Sequence, residues 1–325
     1  MMHTIIIPLI LGFAIFMFGM KLMELALSRW AGPYLSAVLR RFTATPIHGL
    51  LTGTATTAVL QSSTAVTVLS IGLVNTGLLS FSRTLGIVLG TNIGTCITTE
   101  LIGLQLGRVA MPLLIAAFAA WLLTAVLGEM RVLAWSRALP FLQPVRLLAV
   151  ASAGFALILI GITTMQSIGP AVQATRFFGT FLERSQESVL WGLAAGTLLT
   201  AMVHSSAAVI GLVMGLAASS AMPIDVSVAI VLGANIGTCF TAILAAISAT
   251  NAGRGVAIAH IVLNAAGALL FLPFIPLLAA AAGAISDSPA AQIAHAQTIF
   301  NIACSLLALP LCYLPVWNSR FLQPR

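Results

Sequence analysis

Gln61-Ser62-Ser63 is a polar interruption within the apolar residues 51–74, and His204-Ser205-Ser206 interrupts residues 194–217 in the same way. The two interruptions lie 143 positions apart. Aligning residues 49–99 with residues 192–242 at this offset pairs 51 positions, of which 23 are identical. A match of this kind indicates an internal duplication. Because the polar residues are duplicated together with their apolar surroundings, we expect them to form two halves of one site.

Composition predicts an all-α polytopic membrane protein. Of the 325 residues, 60% are hydrophobic and 6% are charged, whereas soluble domains carry about 25% charged residues. Apolar stretches of about 20 residues recur along the chain, as in proteins with many membrane-spanning helices. The net charge of +7 comes from scattered basic residues, so we expect membrane lipid and no nucleic acid among the partners.

The apolar pattern predicts seven spans, at residues 5–25, 85–106, 109–127, 147–165, 226–247, 256–278 and 290–314. Two further stretches, the hairpins at residues 47–79 and 189–222, offer two arms of about 14 residues each, or about 21 Å. A bilayer core is about 30 Å thick, so re-entrant helical hairpins are favoured over full crossings. Gly-rich segments, such as residues 90–94, predict interrupted transmembrane helices at residues 85–106 and 226–247.

The predicted domain organisation has two repeats. Residues 1–128 form the first repeat, residues 129–146 a cytosolic linker, residues 147–282 the second repeat and residues 290–316 an additional helix. Residues 176–187 are expected to form a polar loop. Each repeat holds three crossings, an odd number, so we expect inverted repeats.

Loop charges predict the orientation. Eleven basic residues fall on one face and three on the other, so the positive-inside rule places the N-terminus outside and the C-terminus in the cytoplasm of a cell (inner) membrane. The eleven are Lys21, Arg29, Arg40, Arg41, Arg83, Arg131, Arg137, Arg146, Arg254, Arg320 and Arg325.

The bends suggest the chemistry of the site. Inverted repeats with broken helices are a recurrent transporter architecture, with the binding site at the repeat interface. The N–H groups at the start of a second arm attract an anion, and the carbonyl groups at the end of a first arm suit a hard cation such as sodium. We therefore expect a small oxyanion as the ligand, with cations to offset its charge.

The duplicated Ser-Ser hairpin, with Gln61 in its first copy, is followed in each repeat by Gly-x-Asn-Ile-Gly-Thr, and this pair of motifs resembles the type II sodium–phosphate cotransporter family and its bacterial relatives. The resemblance implies sodium-coupled phosphate symport by alternating access, with Na+ as coupling ion and no cofactor. It implies a phosphate site of Gln61, Ser62, Ser63, Thr64, His204, Ser205, Ser206, Asn92 and Asn235. It implies sodium ligands Gln61, Ser62, Thr95, Thr98, Ser205, Thr238 and Thr241.

Later motifs and departures accompany this resemblance. His260-x-x-x-Asn264 and Gln297-x-x-x-Asn301 are similar to later helical motifs of the family, with Gln297 in place of the usual His. His204 replaces a Gln and can titrate near neutral pH. Glu100 is an acid at membrane depth, so both are candidates for coupling. We expect this chain to lack the cytosolic domain, similar to the phosphate-uptake regulator, that many bacterial relatives append.

The same residues disfavour two competing classes of protein. An enzyme is disfavoured, because adjacent residues such as His204 and Ser205 do not face each other on a helix and no Gly-x-Ser-x-Gly elbow occurs. A structural or channel-like protein would leave the duplicated amides and hydroxyls unexplained. Within transport, a proton-coupled phosphate carrier and a sodium symporter of sulfate or a carboxylate stay open, as does a homodimer.

Overall fold

A computed structural model describes residues 5–129, 141–315 and 317, and every regular element in those ranges is helical. Short 3₁₀ turns lie at Leu106–Val109, Leu272–Phe274 and Leu309–Tyr313. The α-helices are α1 (Ile7–Phe42), α2 (Pro46–Leu60), α3 (Ser63–Asn75), α4 (Phe81–Gly103), α5 (Ala110–Glu129), α6 (Leu142–Gln166), α7 (Gly169–Gln173), α8 (Arg176–Glu187), α9 (Leu190–Val203), α10 (Ser206–Ala218), α11 (Ile224–Gly237), α12 (Cys239–Ala246), α13 (Asn251–Phe271), α14 (Ile275–Gly283) and α15 (Pro289–Ala308).

Seven helical segments in the described ranges are long and apolar enough to cross a membrane, and they match the seven predicted spans. The all-α polytopic class is therefore confirmed. The segments are Ile7–Phe42, Phe81–Gly103, Leu106–Gly128, Leu142–Gln166, Ile224–Ala246, Asn251–Gly283 and Pro289–Tyr313.

The first helix is longer than predicted. Instead of ending near Lys21 and Glu24, α1 continues to Phe42 and includes Pro33. Lys21 and Glu24 form an ion pair of 3.0 Å at a spacing of three residues, which is compatible with a continuing helix because residues three apart are neighbours on its surface. Arg29 therefore lies on a helix and not in a loop.

Both hairpins have the two short arms that the sequence predicts. The arms are 15 and 13 residues long in the first hairpin and 14 and 13 in the second, so each measures about 20 Å. Gln61 ends α2 in the left-handed conformation (φ 54°) and His204 ends α9 in the same way (φ 58°). Ser62 and Ser205 then act as N-caps of the second arms, as Ser commonly does.

The predicted interruption of the first spanning helix is wrong. Helix α4 runs without a break through residues 90–94. In the second repeat, α11 and α12 are separated only by Thr238, whose backbone still has helical angles (φ −61°, ψ −25°). The glycines that suggested a break serve another purpose, which is close contact between helices.

Two glycine seams join the first arm of each hairpin to the following helix. A Cβ at Gly90 would lie 2.7 Å from the backbone nitrogen of Thr54, and a Cβ at Gly237 would lie 2.6 Å from the carbonyl oxygen of Thr197. The threonines also bond across the seams. The Thr54 hydroxyl donates to the Gly90 carbonyl at 3.2 Å, and the Thr197 hydroxyl donates to the Gly233 carbonyl at 3.1 Å. Glycine is required because only its backbone can approach this closely.

Residues 176–187 form helix α8, so the predicted polar loop is wrong. Thr175 caps the helix by accepting a hydrogen bond from the Phe178 N–H. Phe178 is buried while Phe177 is almost fully exposed. Apolar and charged residues alternate here with the period of an amphipathic helix, which the high proportion of polar residues concealed.

The chain divides into two compact units, residues 1–33 with 105–168 and residues 34–104 with 169–325. In the first unit, a Cβ at Gly19 would lie 2.6 Å from the Gly154 carbonyl oxygen, so α1 and α6 also meet through glycine. Both hairpins belong to the second unit. The repeat boundaries given above stay a prediction. The linker residues 130–140, with Arg131 and Arg137, lie outside the described residues, as do Arg320 and Arg325.

Candidate functional site

The second unit contains a pocket whose lining includes residues of both hairpins. Nine of its ten lining residues carry a hydroxyl or an amide, and the tenth is a histidine. The pocket is lined by Ser63, Thr64, Thr67, Asn92, Thr95, Ser206, Asn235, Thr238, Thr241 and His260. The structure thus brings together eight of the predicted phosphate and sodium ligands, and it adds Thr67 and His260.

The N-terminal ends of two short helices contribute to the pocket. Ser63 is the first residue of α3 and Ser206 is the first residue of α10, and both line the pocket. The first N–H groups of a helix have no partner within it, and together with the helix dipole they attract anions. The geometry therefore duplicates an anion-binding feature at one cavity.

Ser62 and Ser205, which directly precede the two pocket serines, act as helix caps. The Ser62 hydroxyl accepts a hydrogen bond from the Ala65 N–H at 3.3 Å, and the Ser205 hydroxyl accepts one from the Ala208 N–H at 3.2 Å. Both serines were predicted as ligands, but neither is among the residues that line the pocket. Ser62 caps the helix that begins at Ser63, and Ser205 caps the helix that begins at Ser206.

Gln61 and His204 also lie outside the pocket lining. Gln61 donates its amide to the Ala58 carbonyl at 2.6 Å, and its side-chain oxygen accepts from the Thr98 hydroxyl at 2.6 Å. This bond ties the bend of the first hairpin to α4. The ring of His204 lies 5.5 Å from the ring of Phe240. In both repeats the residue at the bend therefore contacts the segment that follows the hairpin, α4 for Gln61 and α12 for His204.

Asn264 connects the two repeat asparagines. Its side-chain oxygen accepts from Asn92 at 2.6 Å and from Asn235 at 3.3 Å. Its amide donates to the Asn235 carbonyl at 3.2 Å, and the side chain is buried. Asn264 thus positions one pocket amide from each repeat. The motif of Asn264 is visible in the sequence, but the sequence does not place it in the site, because two residues on one helix give no sign of which other helix they contact.

A cysteine fixes the register of α13 against α12. The Cys239 thiol donates to the His260 carbonyl at 3.5 Å and accepts from the Asn264 amide at 3.2 Å. His260 and Asn264 are four residues apart and so lie on one face of the helix. This register directs that face of α13 toward the pocket.

The same arrangement recurs between α15 and the first repeat. The Cys96 thiol donates to the Gln297 carbonyl at 3.8 Å and accepts from the Asn301 amide at 3.3 Å. Gln297 is therefore the structural equivalent of His260, and Asn301 is the equivalent of Asn264. Both cysteines are buried free thiols that pack and orient helices.

Glu100 lies away from the pocket, in contact with α15. Its carboxylate pairs with the His295 Nδ1 at 3.0 Å and accepts from the Thr298 hydroxyl at 2.5 Å. It is not among the pocket residues, so its predicted coupling role stays a prediction. When Cys96 is matched with Cys239 and Gln297 with His260, the residues Glu100, His295 and Thr298 all correspond to isoleucine in the second half. These are Ile243, Ile258 and Ile261.

Three of the predicted sodium ligands, Thr95, Thr238 and Thr241, line the pocket, where hydroxyl oxygens are a ligand type that a hard cation accepts. Thr98 instead donates its hydroxyl to Gln61. The site therefore offers oxygen atoms for a cation and N–H groups for an anion in one cavity.

Comparison with known proteins identifies the family of the chain. The model of a family described as Na+/Pi-cotransporter matches the chain twice, at residues 15–167 and 157–309. The uncharacterized protein YqeW of Bacillus subtilis is 33% identical over 299 residues, which is 92% of each chain. No solved structure matches the chain.

Two further relatives carry functional names. The YjbB protein of Escherichia coli K12, whose name proposes inorganic phosphate export, is 28% identical over 306 residues, or 94% of this chain and 53% of that protein. This chain therefore spans about half the length of YjbB. The sodium-dependent phosphate transport protein 2A of Rattus norvegicus is 30% identical over 102 residues, or 30% of this chain and 16% of that protein. The double family match covers most of the chain, and the chain belongs to the Na+/Pi-cotransporter family, which is a family of transporters and not of enzymes.

Proposed function

We propose that the chain is a secondary active transporter that moves inorganic phosphate together with sodium by alternating access. The observation that carries this proposal is the pocket on which the N-terminal residues of α3 and α10 converge, Ser63 and Ser206. Family membership supports phosphate as the anion. The names of relatives support transport in either direction, since one is named for sodium-dependent transport and another for export.

Phosphate binding rests on neutral donors. The pocket lining contains no Arg or Lys, so the anion would be held by backbone N–H groups, hydroxyls and the amides of Asn92 and Asn235. Preorganised dipoles of this kind favour an anion without a formal positive charge. The negative charge then has to be offset during transport, and sodium bound by hydroxyl and carbonyl oxygens would supply that offset.

The transport test uses purified protein in liposomes. We expect labelled phosphate to accumulate when sodium is higher outside than inside, and not when potassium replaces sodium. Equal accumulation driven by a proton gradient in the absence of sodium would favour the proton-coupled alternative. Competition by sulfate or a carboxylate at the concentration effective for phosphate would favour another anion as the substrate.

The site test compares two serines of the same helix. Ser63 lines the pocket, whereas the buried Ser70 hydroxyl donates to the Val66 carbonyl at 2.7 Å. A hydrogen bond to a charged group contributes about 1.5–3 kcal/mol, so S63A should raise the phosphate KM by about 10- to 100-fold. S70A removes the same atom and should leave KM nearly unchanged. Equal KM values for both variants would remove Ser63 from the site.

We also propose the membrane orientation. The protein is a multi-pass membrane protein by its seven apolar helical segments and its family. The charge asymmetry of the sequence supports a cell (inner) membrane location with the N-terminus outside and the C-terminus in the cytoplasm. Protease accessibility of a tag at either end of the chain in sealed vesicles tests this orientation.

A further inference from the structure

His260 is a buried pocket residue whose ring nitrogens have no protein partner. Its exposed fraction is 5%, it lines the pocket, and within the described ranges neither Nδ1 nor Nε2 makes a hydrogen bond. Burial of a polar group without a partner costs free energy, and such groups are uncommon in native proteins. A ligand in the pocket would remove this cost.

The equivalent residue of the other half has a partner. Gln297 accepts a hydrogen bond on its side-chain oxygen from the Thr99 hydroxyl at 2.5 Å. At the offset of 143 positions, Ala242 stands where Thr99 stands in the first repeat. Alanine has no hydroxyl, so the second half cannot satisfy His260 in the way that the first half satisfies Gln297.

We infer that His260 donates a ring N–H to the transported phosphate and makes the two halves of the pocket unequal in anion binding. This inference rests on the proposed function. A neutral imidazole carries its N–H on one of its two nitrogens. Because neither nitrogen of His260 has a protein partner within the described ranges, the ring is free to take the tautomer that places the N–H on the nitrogen facing the pocket. A hydrogen bond to an anion is stronger than one between neutral groups.

The helix that carries His260 is held in place independently of any ligand. The thiol of Cys239 bonds the His260 carbonyl, and Asn264, one turn further along, bonds both repeat asparagines. The ring is therefore presented to the pocket by a fixed backbone. Sodium is a poor alternative ligand for the ring, since hard cations are bound by oxygen atoms.

The test compares H260L with Q297L, its structural equivalent. Because H260L removes a buried group without a partner, we expect its unfolding midpoint in detergent, without phosphate, to equal or exceed that of the wild type. Its phosphate KM at saturating sodium should rise by about 10- to 100-fold. Its half-saturation by sodium, measured at saturating phosphate, should change by less than about twofold. Q297L leaves the Thr99 hydroxyl without its acceptor, so it should lower the midpoint and keep the phosphate KM.

Unfolding in sodium phosphate and in sodium chloride supplies a second readout. Phosphate should raise the midpoint of the wild type and of Q297L and should raise that of H260L much less, because a ligand stabilises only in proportion to its binding. An H260L variant with the KM and the phosphate-induced shift of the wild type would overturn the role of His260, as would a change in sodium half-saturation alone. Absence of phosphate uptake by the wild type would overturn the proposed function, and this role with it.

Discussion

Replacing Gly90 with alanine tests how closely α4 must approach α2. The new Cβ would lie 2.7 Å from the Thr54 backbone nitrogen and closer still to the Leu50 carbonyl oxygen, where ordinary contact begins at 3.4 Å. Both atoms belong to the backbone of a helix, so no side chain can rotate away. The helices would have to separate by roughly 1 Å, which also breaks the 3.2 Å hydrogen bond from Thr54 to Gly90.

The change in the free energy of unfolding caused by G90A is the sum of three effects. Overpacking against a rigid backbone costs up to about 3 kcal/mol, and the lost hydrogen bond costs about 1 kcal/mol. The higher helix propensity of alanine offsets about 1 kcal/mol. We therefore expect G90A to lower the free energy of unfolding by about 3 kcal/mol, and G233A to have a similar effect because the seam is duplicated.

Gly72 provides the matched control. It lies within α3, and a Cβ there would meet no atom within 4 Å, so G72A should be neutral or stabilising by up to about 1 kcal/mol. Unfolding of the purified variants in detergent, followed by circular dichroism, measures the difference. If G90A unfolds at the same midpoint as G72A, the helices can separate without loss and the seam is not needed for stability.

Substitutions at three further positions test the site and the bends. N264L removes the acceptor shared by the two repeat asparagines, so phosphate uptake should fall at least about tenfold; normal uptake would show that those amides need no positioning. His204 has a left-handed backbone, which glycine adopts without strain, so H204G should raise the free energy of unfolding by about 1 kcal/mol. H204V should lower it by more, and equal unfolding midpoints for the two variants would contradict this. T98V leaves the Gln61 oxygen without its hydroxyl donor and should cost about 1 kcal/mol, with an unchanged midpoint as the contrary result.

The duplication made the hairpins predictable. A polar triplet inside an apolar stretch, repeated at a fixed offset, located both bends, and the structure has Gln61 and His204 in the left-handed conformation at those positions. Arm lengths followed from the distance between the triplet and the flanking turns. Local sequence was sufficient here because a helix end is specified by its own cap residues.

The glycine clusters predict a helix break that α4 does not have, because glycine has two roles in membrane helices. It allows a break in the backbone, and it allows a neighbouring helix to approach. Gly86, Gly90 and Gly94 are spaced four residues apart, so they form one face of α4, and a hypothetical Cβ on each would strike α2. The four-residue spacing of these glycines is the sign in the sequence that they serve helix packing and do not break the helix.

The contacts of α13 and α15 could not be predicted from the sequence. Their motifs, which include His260 and Asn264 in α13, were visible as pairs spaced four residues apart, but which earlier helix they meet depends on tertiary packing. Only the structure shows that α13 contacts α12 through Cys239 and that α15 contacts α4 through Cys96. The lack of a partner for His260 likewise depends on Ala242, a residue that has no chemical signature of its own.

The glycine seams have a mechanical consequence. Helices whose backbones meet at glycines cannot slide past each other as helices separated by a layer of leucines can, and each seam is further bonded by a threonine hydroxyl. The first arm of each hairpin and its spanning helix must therefore travel as a single rigid body. In the proposed alternating-access cycle, the cavity would therefore open to either side of the membrane by the movement of such paired blocks, and not by flexing of an isolated hairpin arm.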